Sequence, residues 1–462
     1  MGAMARAAEI VHPGKISARS WAITLGVLGI ALVVAIAVAL VIRHGHVPVT
    51  PSARVTVDFA ARRQTNGSML GFLHGMDEKS PETRWIAPLH PALWRGSLYS
   101  APYQRAVSFG AKYILVVSDL WGYPGAGWYG RKPPWEEPLA WFAFVRDLAL
   151  ANRTRALVWG IWNEPNGRYF WNGTKAQYYE TFRIADAAIR SVLGSGALVS
   201  GPGVSGFSWP WLEGLLNYCR ARKCRVDVLA WHELQAAGIS KISEHLKDAR
   251  KRLLASSHLS VTHVRFIYIS EYLAESDALY PGELIAYLDQ LERGGANGGA
   301  MACWADPGGS SACDQHTLDG LLNPGTKQPR GVWWAAKAYA DGVGSRVETS
   351  STTPALAALA SYRAPDARHA QVLLGYFDTH TRLPGTLTVK ITLRDLNALQ
   401  FLRTARKVRV SMERLLAGAS PLTPRTIGRP QDIAISHGAV TITAPRIALH
   451  DAVAVRLSVA GR

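Results

Sequence analysis

Between Met69 and about Ala340 one pattern recurs: a short apolar run, a loop rich in glycine, polar and aromatic residues, then a helical stretch. The runs are MLGFLHG, ALWRGS, KYILVVSDLW, RALVWGIWNE, ALVSGPGV, VDVLAWHE, RFIYISEY and GAMACWAD. Between them lie stretches such as EPLAWFAFVRDLALAN, KAQYYETFRIADAAIRSVLG, ISEHLKDARKRLLASS and PGELIAYLDQLERGG. Nearly continuous apolar strands are covered on both faces, and their alternation with helices indicates a parallel sheet. Eight such units over roughly 270 residues predict a (β/α)8 barrel of the TIM type, spanning 55–341. A doubly wound open sheet is the alternative. It usually carries a glycine-rich phosphate loop after its first strand, and GFLHGM is not one.

From about Gly342 the helical stretches stop. AQVLLGYF, GTLTVKITL, KVRVSME, AVTITA and HDAVAVRLSV alternate in polarity and are separated by turn residues. This predicts a C-terminal antiparallel β-sandwich over 342–462. An alternating strand at 55–60, in RVTVDF, is a candidate member of that sandwich, because a barrel beginning at MLGFLHG has no place for another parallel strand. With 48% hydrophobic and 18% charged residues, the chain can bury large cores, which excludes a disordered protein.

Trp21 to Ile42 is a run of 22 residues without a charge. It is long enough to span a bilayer as an N-terminal transmembrane helix. A signal peptide has a shorter apolar region, about 7–15 residues, although AIA and AVA within the run imitate a cleavage site. A buried core helix fits poorly, because the run is apolar all round and precedes every other core element. The expected order is a cytoplasmic N-terminus at 1–20, the span at 21–42, a linker at 43–54, and then the folded part. Arg6, Lys15 and Arg19 precede the span, while Arg43, Arg54, Arg62 and Arg63 follow it, so the positive-inside count does not set the orientation. The four cysteines form two close pairs in sequence, Cys219 with Cys224 and Cys303 with Cys313. Neither spacing suits a zinc site, and no histidine cluster accompanies them. Disulfides in an oxidising compartment fit, with three connectivities open, and four buried thiols are the alternative. Together these features place a single-pass protein in the inner (cytoplasmic) membrane, with its folded part periplasmic or extracellular. The net charge is +17, from 51 basic against 34 acidic residues. A basic surface attracts nucleic acid, anionic lipid or acidic polysaccharide. No zinc-finger spacing, RNP-like motif or long basic run supports a nucleic-acid partner, so an ordinary solvated basic surface is the stronger reading.

In a barrel of this kind the chemistry stands at the strand ends. Those ends supply His74, Arg95, Asp119 with Trp121, Asn163 with Glu164, Trp231 with His232 and Glu233, Glu271, and Trp304 with Asp306. Any one of these is unremarkable on a surface loop. Together they put a glutamate at the end of the fourth strand and another at the end of the seventh, across the barrel mouth. Two opposed carboxylates suffice to cleave a glycosidic bond, one as proton donor and the other as nucleophile or base. That chemistry calls for no metal and no cofactor. Sugars also pack their apolar faces on aromatic rings, and Trp121, Trp128, Tyr129, Trp162, Trp171, Trp231 and Trp304 are candidates. Ordinary packing is the stronger reading for all of them except Trp231 and Trp304.

WNEPN at 162–166 resembles the acid/base motif of clan A retaining glycoside hydrolases, in which an Asn-Glu pair ends the fourth strand. YISEY at 268–272 resembles the nucleophile strand of the same clan. Over roughly residues 55–460 the chain is similar to glycoside hydrolase family 39, which pairs such a barrel with a β-sandwich. That family includes β-xylosidases, α-L-iduronidases and bacterial exopolysaccharide endoglycosidases. The resemblance implies Glu164 as general acid/base, Glu271 as nucleophile, and Asn163 on the hydroxyl beside the anomeric carbon. It also implies His232 near the nucleophile and Trp304 in the sugar-binding floor. AWHEL departs from a two-carboxylate site, because Glu233 could replace Glu271 or bind substrate; the clan's use of the seventh strand favours Glu271. The expectation is a monomeric, membrane-anchored retaining glycosidase, endo-acting on a bacterial exopolysaccharide. An exo-acting β-xylosidase type, a transglycosylase and a non-catalytic carbohydrate-binding barrel are the alternatives.

Overall fold

The computed structural model describes residues 52–99, 101–256, 263–362 and 368–460. The expected N-terminus (1–20), the span (21–42) and nearly all of the linker (43–54) lie outside them. Among the described residues no helix is long and apolar enough to cross a membrane.

Eight parallel strands close into a barrel. They are β2 (Gly71–Leu73), β3 (Leu93–Gly96), β4 (Lys112–Val116), β5 (Leu157–Gly160), β6 (Leu198–Val204), β7 (Val228–Glu233), β8 (Phe266–Tyr272) and β9 (Gly298–Met301). Successive strand residues point to opposite faces. Leu93, Ile114, Val158, Val228, Tyr268 and Ala300 therefore fill the barrel interior as a small core of their own. Their neighbours Trp94, Tyr113, Trp159, Leu229 and Ile269 join the larger core under the helices. Toward the strand ends the inward set becomes polar on β3, β7 and β8, with Arg95, His232 and Glu271, and this is what lines the mouth with chemistry.

The helix Lys175–Leu193 shows how local sequence sets an outer element. Thr174 accepts from the Gln177 amide at 3.2 Å, and Gln177 accepts from the Thr174 amide at 2.6 Å, a reciprocal cap. Tyr178, Phe182, Ala185 and Ile189 then recur at helical spacing and are buried.

The second sheet corrects the expectation of an all-antiparallel sandwich. It is one ten-stranded mixed sheet in the order β15 (Arg425–Thr426), β14 (Lys407–Leu415), β18 (Ala452–Val459), β12 (His369–Tyr376), β11 (Leu356–Tyr362), β10 (Ser345–Ser351), β1 (Ser52–Arg63), β13 (Thr386–Arg394) and β17 (Val440–Ala448), with β16 (Gln431–Ala434) paired to β14. Strand β1 (Ser52–Arg63) belongs here, antiparallel to β10 (Ser345–Ser351) and parallel to β13 (Thr386–Arg394). Since β10 and β13 run in opposite directions, a strand inserted between them must be parallel to one. Ala53, Val55, Val57 and Phe59 point into this sheet's core, with Val389, Ile391 and Leu393 of β13. Buried ion pairs join the sheet to the barrel. Glu292, on the helix Pro281–Gly294, accepts from Arg346 at 2.8 Å and from Arg63 at 2.8 Å. Cys219 pairs with Cys224 and Cys303 with Cys313, so both disulfides are local.

Candidate active site

The two glutamates reach the mouth by different local devices. Phe266 and Tyr268 of β8 face the barrel interior, so strict alternation would bring Ser270 in next. The pairing with β7 instead slips one residue: Trp231 lies opposite Ile269, and His232 opposite Glu271. This bulge turns Glu271 inward, a familiar use of bulges beside functional sites. Glu164 follows β5 in a tight turn. Its φ is 42°, its amide donates to the Gly203 carbonyl at 2.9 Å, and its carbonyl accepts from the Gly167 amide at 2.8 Å. A left-handed non-glycine residue costs roughly 1–2 kcal/mol. The packing beneath offsets it: Trp162 is buried, edge-on to Trp171 at 5.0 Å and to Trp141 at 5.8 Å.

Arg95, one inward step beyond Leu93 on β3, organises the floor. Its guanidinium donates to Glu271 and, at 2.7 Å, to Oδ1 of Asn163. The Asn163 amide in turn donates to Ser118 Oγ at 3.0 Å. With Oδ1 occupied, the Asn163 side-chain NH2 is the end left for a ligand hydroxyl. His232 is fully buried and bridges the carboxylates, with Nδ1 at 2.9 Å from Glu164 and 3.6 Å from Glu271. Among the described residues its buried Nε2 has no partner, which fits the tautomer that carries the proton on Nδ1 and donates it to Glu164. Oxygens of Glu164 and Glu271 lie within 4.8 Å of each other.

His74 and Asp119 stand beside this core, with 3.8 Å between Nε2 and Oδ2. Burial, aided by the Arg95 charge, lowers the His74 pKa to about 3. Burial raises the Asp119 pKa to about 7; Arg95 opposes the shift and Glu271 adds to it. The folded state therefore holds the Asp119 proton more tightly than the unfolded chain does. Native stability should fall as pH rises from the ordinary carboxylate range through 7. Urea denaturation at pH 5 and pH 8 checks this: Asp119→Asn should lose less stability between the two than wild type. Equal losses would show that Asp119 does not set that dependence.

The structure brings together His74, Arg95, Asp119, Asn163, Glu164, His232 and Glu271. Trp304 is half-buried at the rim, its indole donating to the Leu273 carbonyl at 2.9 Å. It lines a cavity of about 280 Å³ with Asp319 and Glu275. Three expected substrate contacts need correction. Trp231 is fully buried, and its indole donates to Glu233 at 2.7 Å; Glu233 also binds His245, on the helix Ile242–Ala255, at 2.9 Å. Residues 231 and 233 share the face of β7 turned toward the helices, so only His232 of the three reaches the mouth. Glu233 thus serves packing through Trp231 and His245 and is not a third carboxylate in the site. Trp121 packs edge-on against Trp141 and Phe144, both at 5.2 Å, and has no face for a sugar. Asp306 is likewise committed, to Arg330 at 2.6 Å.

Asp319 was missed by the strand-end count. It is buried at φ 55°, and its Oδ2 accepts from the Leu73 amide at 2.7 Å. A Cβ on Gly75 would sit 2.5 Å from Oδ1, so glycine is required there. Burial, with Glu271 nearby, raises the Asp319 pKa well above the carboxylate range. It lies in the long connection after β9, where no periodic pattern marks it. Among the described residues, Glu164, His232 and Glu271 are also the one group of three close enough to hold a metal ion. The Arg95 guanidinium already sits on Glu271, and a second cation there would be repelled.

Residues 151–268 match the family model described as glycosyl hydrolases family 39. Over this stretch, about a quarter of its length, the chain is similar to that family. The matched stretch contains Asn163, Glu164 and His232 and stops before Glu271; the β7–β8 register supplies the second carboxylate. Among curated relatives, a β-xylosidase of Geobacillus stearothermophilus is 28% identical over 117 residues, 23% of this chain and 22% of that protein. A 3-O-α-D-galactosyl-α-L-arabinofuranosidase of Bifidobacterium longum subsp. longum is 26% identical over 54% of this chain and 21% of its own length. The alignments thus span about a fifth of these relatives. A solved structure from Neocallimastix frontalis superposes with TM-score 0.67 at 21% identity, over 88% of this chain and all of that one. A family 39 enzyme from Xanthomonas axonopodis pv. citri gives 0.60 at 15% identity, over 91% of this chain and all of that one. These two likenesses show a shared fold across nearly the whole chain.

Proposed function

We propose that the chain is a retaining glycoside hydrolase acting by double displacement, with Glu271 as nucleophile and Glu164 as acid/base. The observation that carries this is the pair of carboxylates, from the fourth and seventh barrel strands, with oxygens within 4.8 Å. Retaining pairs stand about 5–5.5 Å apart, whereas inverting pairs need roughly 6.5–9.5 Å for an intervening water. Glu271 attacks the anomeric carbon as Glu164 protonates the glycosidic oxygen, and the C–O bond breaks to leave a glycosyl-enzyme ester. Glu164 then takes a proton from water, whose oxygen attacks the same carbon and releases Glu271. Arg95 aims Glu271 throughout, and Asn163 offers its NH2 to the neighbouring hydroxyl. NMR of the first-formed product anomer tests the assignment. The substrate's own anomeric configuration is the expected result, and the opposite anomer would refute it.

The substrate in this reading is a bacterial exopolysaccharide cut internally by a monomeric enzyme. Cavities of about 280 Å³ and 680 Å³ support internal cutting. The first borders Trp304, after β9, and the second borders Pro165, after β5, on opposite sides of an eight-stranded ring. An exo-acting β-xylosidase type is favoured instead by the likeness to the Geobacillus β-xylosidase. Product sizing separates them: mid-length fragments fit internal cutting, while early monosaccharide with little viscosity loss fits the exo type. The uncharged run 21–42 and the two disulfides support an inner-membrane anchor with the folded part outside the cytoplasm.

A further inference from the structure

The larger cavity has a chemistry of its own. It starts at Pro165 and Asn166, the two residues after Glu164, and continues past Arg168, Trp171, Lys175 and Trp211. Among the described residues its lining holds two cations and no carboxylate. At about 680 Å³ it lies within the range of ligand-binding clefts.

The two cations are prepared differently. Lys175 is fixed: its Nζ donates to the Pro210 carbonyl at 2.7 Å and lies 4.8 Å from the Trp211 ring centroid. Its charge is therefore anchored at one wall. Arg168 is exposed and, among the described residues, makes no side-chain hydrogen bond or ion pair. Its planar fork of donors lines the cavity unpaired, a group that can match a carboxylate in bidentate fashion. The loop bearing it is held in place rather than free. Gly125 donates to the Tyr169 carbonyl at 2.9 Å, and a Cβ at Gly125 would strike the Tyr169 ring at 2.2 Å. The Trp162 indole holds the Phe170 carbonyl at 2.9 Å.

We infer that this groove binds a carboxylate-bearing sugar unit of the substrate on the leaving-group side of the cleaved bond, with Arg168 as its specificity-determining contact. This rests on Glu164 being the proton donor, because the leaving group is the part of the substrate that lies against the donor's turn. The catalytic floor itself differs: its cation, Arg95, is committed to Glu271 and Asn163. Negative charge is thus recognised beside the reaction centre and not within it.

Affinity electrophoresis of the full chain tests this without turnover. The probes are polygalacturonate and its fully methyl-esterified form, which differ in the carboxylate. Wild type should be retarded by the acid form far more than by the ester. Arg168→Glu should cut retardation by the acid form about tenfold, with melting temperature unchanged because the side chain has no partner to lose. Arg403→Glu, at another exposed arginine between β13 and β14 (Lys407–Leu415), controls for net charge and should change it little. Equal retardation by acid and ester, or equal losses in the two variants, would overturn the inference. Neither result bears on retention of configuration, so failure of the groove and failure of the hydrolase reading are distinguishable.

Discussion

Glu271→Ala loses on the order of 10⁴-fold or more in turnover, the scale on which removing a covalent nucleophile acts. The loss is in chemistry and not in binding, since Arg95, Asn163 and His232 still line the floor. Azide supplied to this variant should fill the space of the missing carboxylate, attack the anomeric carbon and give a glycosyl azide of inverted configuration. Glu233→Gln is the discriminating partner. Its carboxylate receives the Trp231 indole and His245, so the substitution should lower melting temperature while leaving turnover within a fewfold of wild type. If azide instead restored inverted product in a Glu233→Ala variant and not in Glu271→Ala, the nucleophile would be misassigned.

The competition between Glu233 and Glu271 also shows where the sequence stops being informative. Strand ends were legible because eight apolar runs announced themselves, and Arg95, Asn163, His232 and both glutamates follow from them. Side-chain direction was harder. Period two along VLAWHE already separates Trp231 and Glu233 from His232, given that Val228 faces inward, and this parity rule would have removed two wrong contacts. The same rule applied to FIYISEY gives the wrong answer. It points Ser270 into the mouth, because a bulge depends on the pairing of two strands and no single strand records it. Asp319 was illegible for a related reason. Its role is set by a contact with Leu73, across 246 positions of chain, and not by anything beside it. Strand β1 shows the opposite case. Its alternation was plain and its exclusion from the barrel followed, but its parallel partner depended on a vacancy between strands that form later in the chain.

Arg95→Met is expected to destabilise the fold by about 3–5 kcal/mol, the cost of removing one member of a buried ion pair. The two side chains are only 5% and 10% exposed, so water cannot take over the lost bonds. Arg95 also moderates Asp119, whose pKa already stands near 7 and would rise further without the cation. Arg95→Lys keeps the charge but not the fork, and cannot hold Glu271 and Asn163 in one plane. It should recover part of the stability and little of the activity. The decisive variant is the double substitution Arg95→Met with Glu271→Gln. If the cost of the single change lies in an unpaired buried carboxylate, neutralising Glu271 should return stability, and urea denaturation of the four proteins gives the coupling directly. A double variant no more stable than Arg95→Met would place the cost in lost packing along β3. Activity follows a different course: the double variant has no nucleophile and stays inert even where stability returns. Stability and turnover thus make opposite demands on Glu271, which burdens the fold when unpaired and is indispensable to the chemistry. Arg95 reconciles them by pairing with the buried carboxylate and aiming it at one point in the mouth.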